Sequence, residues 1–126
     1  MASAADIARA QSRTEDILAV SLIVFAPDSD QLTEAAKTSV VKIGETLREV
    51  PAVLVVVEGH TDTNGAAAKN LALSQRRAER VRTVLISSGV SPDRVTATGY
   101  GSSQPLVSND TVKNRAKNRR IEISYG

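Results

Sequence analysis

Val53-Leu54-Val55-Val56-Val57 runs into Glu58-Gly59-His60-Thr61-Asp62-Thr63-Asn64-Gly65, and a periodic stretch from about Ala67 to Ser87 follows. The apolar run is short and mostly β-branched, which predicts a strand. With no polar residue inside it, the strand is expected to be covered on both faces, as in a parallel sheet. The polar, glycine-framed segment after it predicts a turn. In the stretch beyond, Leu71, Ala78, Val81 and Leu85 return at helical spacing, so one stripe of a long helix should be buried, and Gly89 stops it.

Upstream, Ile17–Ala26 is apolar and partly β-branched and predicts another strand, broken at Pro27-Asp28-Ser29-Asp30. A helix from Gln31 to Glu49 should follow, capped by Ser29 or Asp30, with Leu32, Ala36, Val40, Ile43 and Leu47 on its inner face. Pro51 ends it. Strand, helix and second strand then form a βαβ unit with a right-handed crossover if the strands are parallel. Residues 4 to about 17 are alanine-rich and suit a short helix or a frayed linker. Downstream, Val95–Thr98 suits a short strand, residues 102–110 a loop, and Thr111–Lys117 a short helix. Arg120–Tyr125 alternates through Ile121, Ile123 and Tyr125 as a half-buried strand. The order βαβαβ(α)β predicts an α+β fold, a two-layer sandwich of helices packed on a mixed four-stranded sheet. One domain is expected over 18–126, with 1–17 as an N-terminal helix or linker.

The composition bounds the function. A chain of 126 residues can bury one core, and 41% hydrophobic against 24% charged residues is ordinary for a globular domain. Phe25, Tyr100 and Tyr125 are its only aromatics, so the core is aliphatic and no base-stacking platform is available. The net charge of +2 is a weak attraction for a polyanion, although basic residues cluster at Arg76–Arg82 and Lys113–Arg120. Nucleic acid is therefore not an expected partner. No apolar run is long enough to span a bilayer, and Met1–Ala5 lacks the basic and apolar regions of a signal peptide. If the protein is exported, this chain is expected to be a domain cut from a longer one, with Met1-Ala2-Ser3 an artificial start.

Without cysteine and with His60 as the one histidine, no zinc site is expected. Ser74 lies in the long helix, away from any nucleophile turn, and no phosphate-loop pattern occurs. Neither a catalytic constellation nor a cofactor is expected, and His60 reads as structural. The turn and helix hold a different combination. Asp62 follows the end of a buried strand, where ligands of α/β sheets tend to bind. Asn70 and Arg77 lie close to two helical turns apart, on one face, and helical side chains lean back towards the N-terminus and the Asp62 turn. A carboxylate and a guanidinium at one site suit a zwitterion. Asp62 can accept from an ammonium, and Arg77 can hold a carboxylate with two parallel hydrogen bonds, as lysine cannot. Spacing leaves two other readings open: Asp62 and Arg77 pair with each other, or Asp62 caps a helix. Arg76, Arg80 and Arg82 read as a solvated helix face. Arg115 and Asn118 read as fixing the loop before the last strand. Of Arg119 and Arg120, one should pack or pair and the other face solvent or a glycan.

These residues resemble a known family. Gly59-His60-Thr61-Asp62, Gly65, Asn70, Leu73-Ser74, Arg77-Ala78 and Val81 are similar to the signature of the OmpA-like domain. That domain is also found in MotB-type stator proteins and peptidoglycan-associated lipoproteins. The likeness continues through Gly99-Tyr100-Gly101, Pro105, Asn109, Arg115 and Asn118-Arg119-Arg120-Ile121-Glu122-Ile123, covering about residues 20 to 125. The resemblance implies non-covalent binding of the peptidoglycan stem peptide at meso-diaminopimelate, in the periplasm or cell envelope. Any membrane attachment would lie in other parts of the parent protein. It implies Asp62 on the diaminopimelate amino group, Arg77 on its carboxylate and Asn70 as a further contact. Leu73 becomes a pocket wall, Thr61 a backbone contact, and Asp28 and Ser29 bordering residues. The sequence departs from the family at Pro27, where Phe25-Ala26-Pro27-Asp28-Ser29 replaces a second aromatic. That departure puts the Asp28 and Ser29 contacts, and ligand retention itself, in question.

Overall fold

The computed structural model describes all 126 residues. The chain runs through α1 (Ala4–Val20), α2 (Glu34–Arg48), β1 (Val55–His60), α3 (Ala67–Ser87), β2 (Val95–Gly101), α4 (Val112–Asn118) and β3 (Arg120–Tyr125). The sheet order is β2-β1-β3. β1 pairs in parallel with β2, from Val55↔Val95 onward, and antiparallel with β3, from Val55↔Tyr125 to His60↔Arg120. A parallel pair needs a crossover, and α3 supplies it. This is the expected α+β sandwich on a mixed sheet, but with three strands rather than four.

The missing strand is Ile17–Ala26. Ile17 to Val20 complete the last turn of α1, and Ile17 and Leu18 pack on the core from there. Ser21–Ala26 is extended, with Ile23 and Phe25 turned inward and Leu22 and Val24 exposed. Its partners are local, however. Ala26 N–H donates to Gln31 O at 2.9 Å, Thr33 N–H to Val24 O at 3.1 Å, and Phe25 bridges Leu32. The turn at Pro27-Asp28, with Asp28 at φ 52°, folds the chain back on itself. A contact across so short a loop costs less chain entropy than one to the distant sheet. The βαβ unit is therefore β1-α3-β2. The same fold-back delays α2, whose cap is Thr33 rather than Ser29 or Asp30; Thr33 Oγ1 accepts from Ala36 N–H at 3.2 Å.

Along its apolar run β1 is buried on one face, which corrects the expectation of two; on the other face only His60, at the strand's end, is buried. Val55, Val57 and Gly59 face the helices, whereas Val56 and the preceding Leu54 are exposed. The core is aliphatic: Val40, Ile43 and Leu47 of α2 meet Val55 and Val57, with Ala78, Val81 and Leu85 of α3 alongside. Leu71 is half-exposed, and Ser74 takes the corresponding inward place on α3. α1 adds Ala10 to the core, and its Thr14 hydroxyl bonds the Tyr125 hydroxyl.

Two glycines set the height of α3 above the sheet. A Cβ on Gly59 would stand 2.3 Å from Ser74 O, and one on Gly99 would stand 2.2 Å from Gln75 N. With no Cβ at either place, Ser74 Oγ reaches Gly101 N–H at 2.9 Å and Gln75 Oε1 reaches Gly99 N–H at 2.7 Å. The side of α3 carrying Asn70, Leu73 and Arg77 is thereby fixed beside the end of β1.

Candidate ligand-binding site

A cleft of about 650 Å³ opens where β1 ends. Its wall includes Thr61 and Asp62 after β1, Asn70, Leu73 and Arg77 of α3, Pro27 and Asp28 of the turn, and Arg119 before β3. A second cleft, about 710 Å³, lies between α1 and α2, lined by Arg13, Lys42, Glu45 and Glu49 with one apolar residue, Ile17. The first combines buried polar groups with an apolar side, as ligand sites do.

Asp62 is 5% exposed although it is charged. Its Oδ1 accepts from Asn64 N–H at 2.9 Å, which closes a local turn, and its Oδ2 pairs with Arg119 Nη1 at 2.5 Å. Asn70 Nδ2 donates to Asn64 O at 2.8 Å and to Asp62 O at 3.3 Å, stapling that turn to α3. Thr61 N–H is bonded to Gly101 O, and its hydroxyl to Asp62 O. Leu73 is buried and lines the cleft.

Arg77 is half-buried, above the Phe25 ring at 5.0 Å from its centroid. Its Nε donates to Ser29 O at 2.8 Å and its Nη2 to Ala26 O at 3.4 Å. Burial pushes its pKa down, Asp28 pulls it up, and Arg119 pushes it down. The guanidinium remains a cation, since such groups do not deprotonate in proteins. Asp62 and Arg77 are thus not paired with each other. Each is held by other groups and both border the cleft. Ser29 lies outside the lining and contributes its carbonyl to Arg77; its hydroxyl accepts from Gln31 N–H.

Arg119 was not singled out as a site residue in the sequence, although it holds Asp62. Its signal was positional: His60 registers with Arg120, so the residue before Arg120 lies beside the residues after His60. Arg120 pairs with Glu122 at 2.6 Å, so both arginines of this doublet have carboxylate partners. Arg82 also departs from the solvated-face reading, donating to Val95 O and Pro92 O at 2.9 Å each. Asn118 is wholly buried and bonds Leu106 N–H, Val107 N–H, Val107 O and Asn109 Oδ1, while Arg115 reaches Asn109 O. These two fix the loop before β3, as their positions suggested.

His60 lies on the sheet face away from α3, stacked on Tyr100 at 5.5 Å, with its side chain 2% exposed. Burial and then Arg120 lower its pKa, against Glu122 and Glu58. Neither ring nitrogen has a hydrogen-bond partner, although Nε2 stands 3.4 Å from Glu122 Oε2.

The family model for the OmpA family matches residues 24–119. The chain belongs to the OmpA family. Outer membrane porin F of Pseudomonas fluorescens is 50% identical over 82 residues, 65% of this chain and 25% of that protein. The peptidoglycan-binding protein ArfA of Mycobacterium tuberculosis is 37% identical over 80% of this chain and 31% of its own length. The peptidoglycan-associated lipoprotein of Burkholderia pseudomallei superposes with a TM-score of 0.78 at 29% identity, covering 87% of this chain and 93% of that one. This OmpA-family chain spans only about a quarter to a third of these two curated relatives. No helix in it is long and apolar enough to cross a membrane.

Proposed function

We propose that the chain is a non-catalytic module that binds the peptide stem of peptidoglycan and so anchors a larger envelope protein to the cell wall. The ligand is the far end of meso-diaminopimelate, where an ammonium and a carboxylate share one carbon. The observation that carries this reading is the cleft itself, in which the buried Asp62 carboxylate and the Arg77 guanidinium are both on the wall but unpaired with each other. An ammonium at Asp62 and a carboxylate at Arg77 would each meet a preorganised partner of opposite charge. Asn70 acts by holding the Asp62 turn, and Leu73 walls the ligand's aliphatic stem. The names of ArfA and of the peptidoglycan-associated lipoprotein support the ligand class, and the name of the porin supports an outer-membrane setting.

A second reading has one observation in its favour. Asp62 is already paired with Arg119, and Arg77 already serves the Ala26 and Ser29 carbonyls next to Pro27. A family member that kept the network and lost the ligand would look similar. Calorimetric titration separates the two. The domain should bind a diaminopimelate stem peptide and discriminate against its lysine counterpart, which lacks the terminal carboxylate. Asp62→Ala and Arg77→Ala, checked for folding by circular dichroism, should each lose more than about tenfold in affinity. Wild type that binds neither peptide would select the second reading.

A further inference from the structure

The cleft carries more cationic capacity than one zwitterion can use. Asp62 receives a single side-chain bond from Arg119, through Nη1. That is the only hydrogen bond of the Arg119 side chain, so its remaining N–H groups have no protein partner. The side chain is 46% exposed and lines the cleft. Arg119 and Arg77 repel across the cleft, and Asp28 on the same wall favours the Arg77 cation. The neighbouring charges offer little relief. Arg120 is committed to Glu122, Asn118 O and Gln104 O, and Asp30 pairs with Arg80 at 3.4 Å.

A ligand ammonium arriving at Asp62 competes with Arg119 for a carboxylate that is nearly out of water. Whichever cation yields loses its charged partner at the cleft wall, and a second anion on the ligand would restore one. We infer that the ligand brings a second carboxylate, which Arg119 takes as the ligand ammonium replaces it on Asp62. The binding step is then an exchange of ion pairs that leaves Asp62, Arg77 and Arg119 each with a charged partner. This rests on the stem-peptide reading. In that stem the glutamyl residue joined to diaminopimelate through its γ-carboxyl keeps a free α-carboxylate. Arg119 would therefore be a specificity-determining residue that reads whether this group is an acid or an amide.

The test uses two synthetic peptides, L-Ala-γ-D-Glu-meso-diaminopimelate and the same peptide with the glutamyl α-carboxylate amidated. Wild type, Arg119→Gln and Arg119→Lys are titrated with both at low salt, and folding is checked by thermal melts. Amidation should weaken wild-type binding about fivefold, a modest factor because the guanidinium is half in water. The acid-to-amide ratio should fall to near one in Arg119→Gln and be partly kept in Arg119→Lys, whatever happens to absolute affinity. Equal binding of both peptides by wild type would overturn the role of Arg119 and leave the proposed function standing. An unchanged ratio in Arg119→Gln would overturn it too. Failure of wild type to bind either peptide would remove the stem-peptide reading and this one with it.

Discussion

Replacing Arg77 by methionine should loosen the turn after Phe25 before any ligand is added. The guanidinium donates to Ser29 O at 2.8 Å, a good bond, and to Ala26 O at 3.4 Å, a poor one, above a Phe25 ring at 5.0 Å. A hydrogen bond from a charged group contributes about 1.5–3 kcal/mol, the lower end applying to a half-buried site. The long contact adds little. The cation–π contact adds about 0.5–1 kcal/mol. Methionine keeps the packing of the aliphatic stem, so the loss should be about 2 kcal/mol, or roughly 8 °C in Tm for a domain of this size. The change should be local as well. Faster amide exchange is expected at Ala26 and Ser29, whose N–H groups bond within that turn to Gln31 O and Ala26 O. Urea unfolding combined with native-state hydrogen exchange measures both. A variant as stable as wild type, with unchanged exchange at these two residues, would refute the anchoring role. Arg77 would then be free for ligand alone.

Two other perturbations probe the supports of the site. Asn118→Ala removes four hydrogen bonds from a wholly buried side chain and strands the Leu106 and Val107 N–H groups; chemical denaturation should show a loss of about 3–4 kcal/mol, and a loss near zero would contradict it. His60 is faced by Glu58 from its own strand, by Arg120 and Glu122 from β3, and by Tyr100 from β2, and its pKa in the folded state is lowered. The unfolded chain therefore binds a proton first, so this contribution is complete above the unfolded pKa of 6.5 and fades as pH falls from there towards the lower folded value. Tm should drop more between about pH 7.5 and 5.5 in wild type than in His60→Phe, which keeps the stack on Tyr100. Parallel slopes in the two proteins would show that His60 is not the titrating group.

Most of the fold was legible because its signals are local. The stripe Ala78, Val81, Leu85 and the alternation Ile121, Ile123, Tyr125 each carry their own period, and their elements formed where the period placed them; the strand expected at Val53–Val57 formed at Val55–His60, taking in Glu58-Gly59-His60, where a turn was expected. Ile17–Ala26 misled because an apolar, partly β-branched run fixes neither where a helix ends nor which partner an extended chain takes: Ile17–Val20 close α1. Ser21–Ala26 is extended, yet the turn at Asp28 gives it to Gln31–Thr33. At the site, the joint placement of Asp62, Asn70 and Arg77 followed from a strand end and a helical repeat. What each group bonds could not follow. Arg119 lies 57 residues from Asp62 and meets it only through the β1–β3 register. Arg77 is tied to backbone carbonyls, which no side-chain pattern records.

The most direct measurement is a two-dimensional amide and Arg Nε–H NMR titration of the wild-type domain with a diaminopimelate stem peptide. Shifts should concentrate at Thr61–Asn64, at the turn Ala26–Ser29, and at the Nε–H signals of Arg77 and Arg119, with the residues of the α1–α2 cleft unmoved. Saturating shifts that spare Asp62 and Arg77, or that map to Arg13, Lys42 and Glu45 instead, would contradict the account.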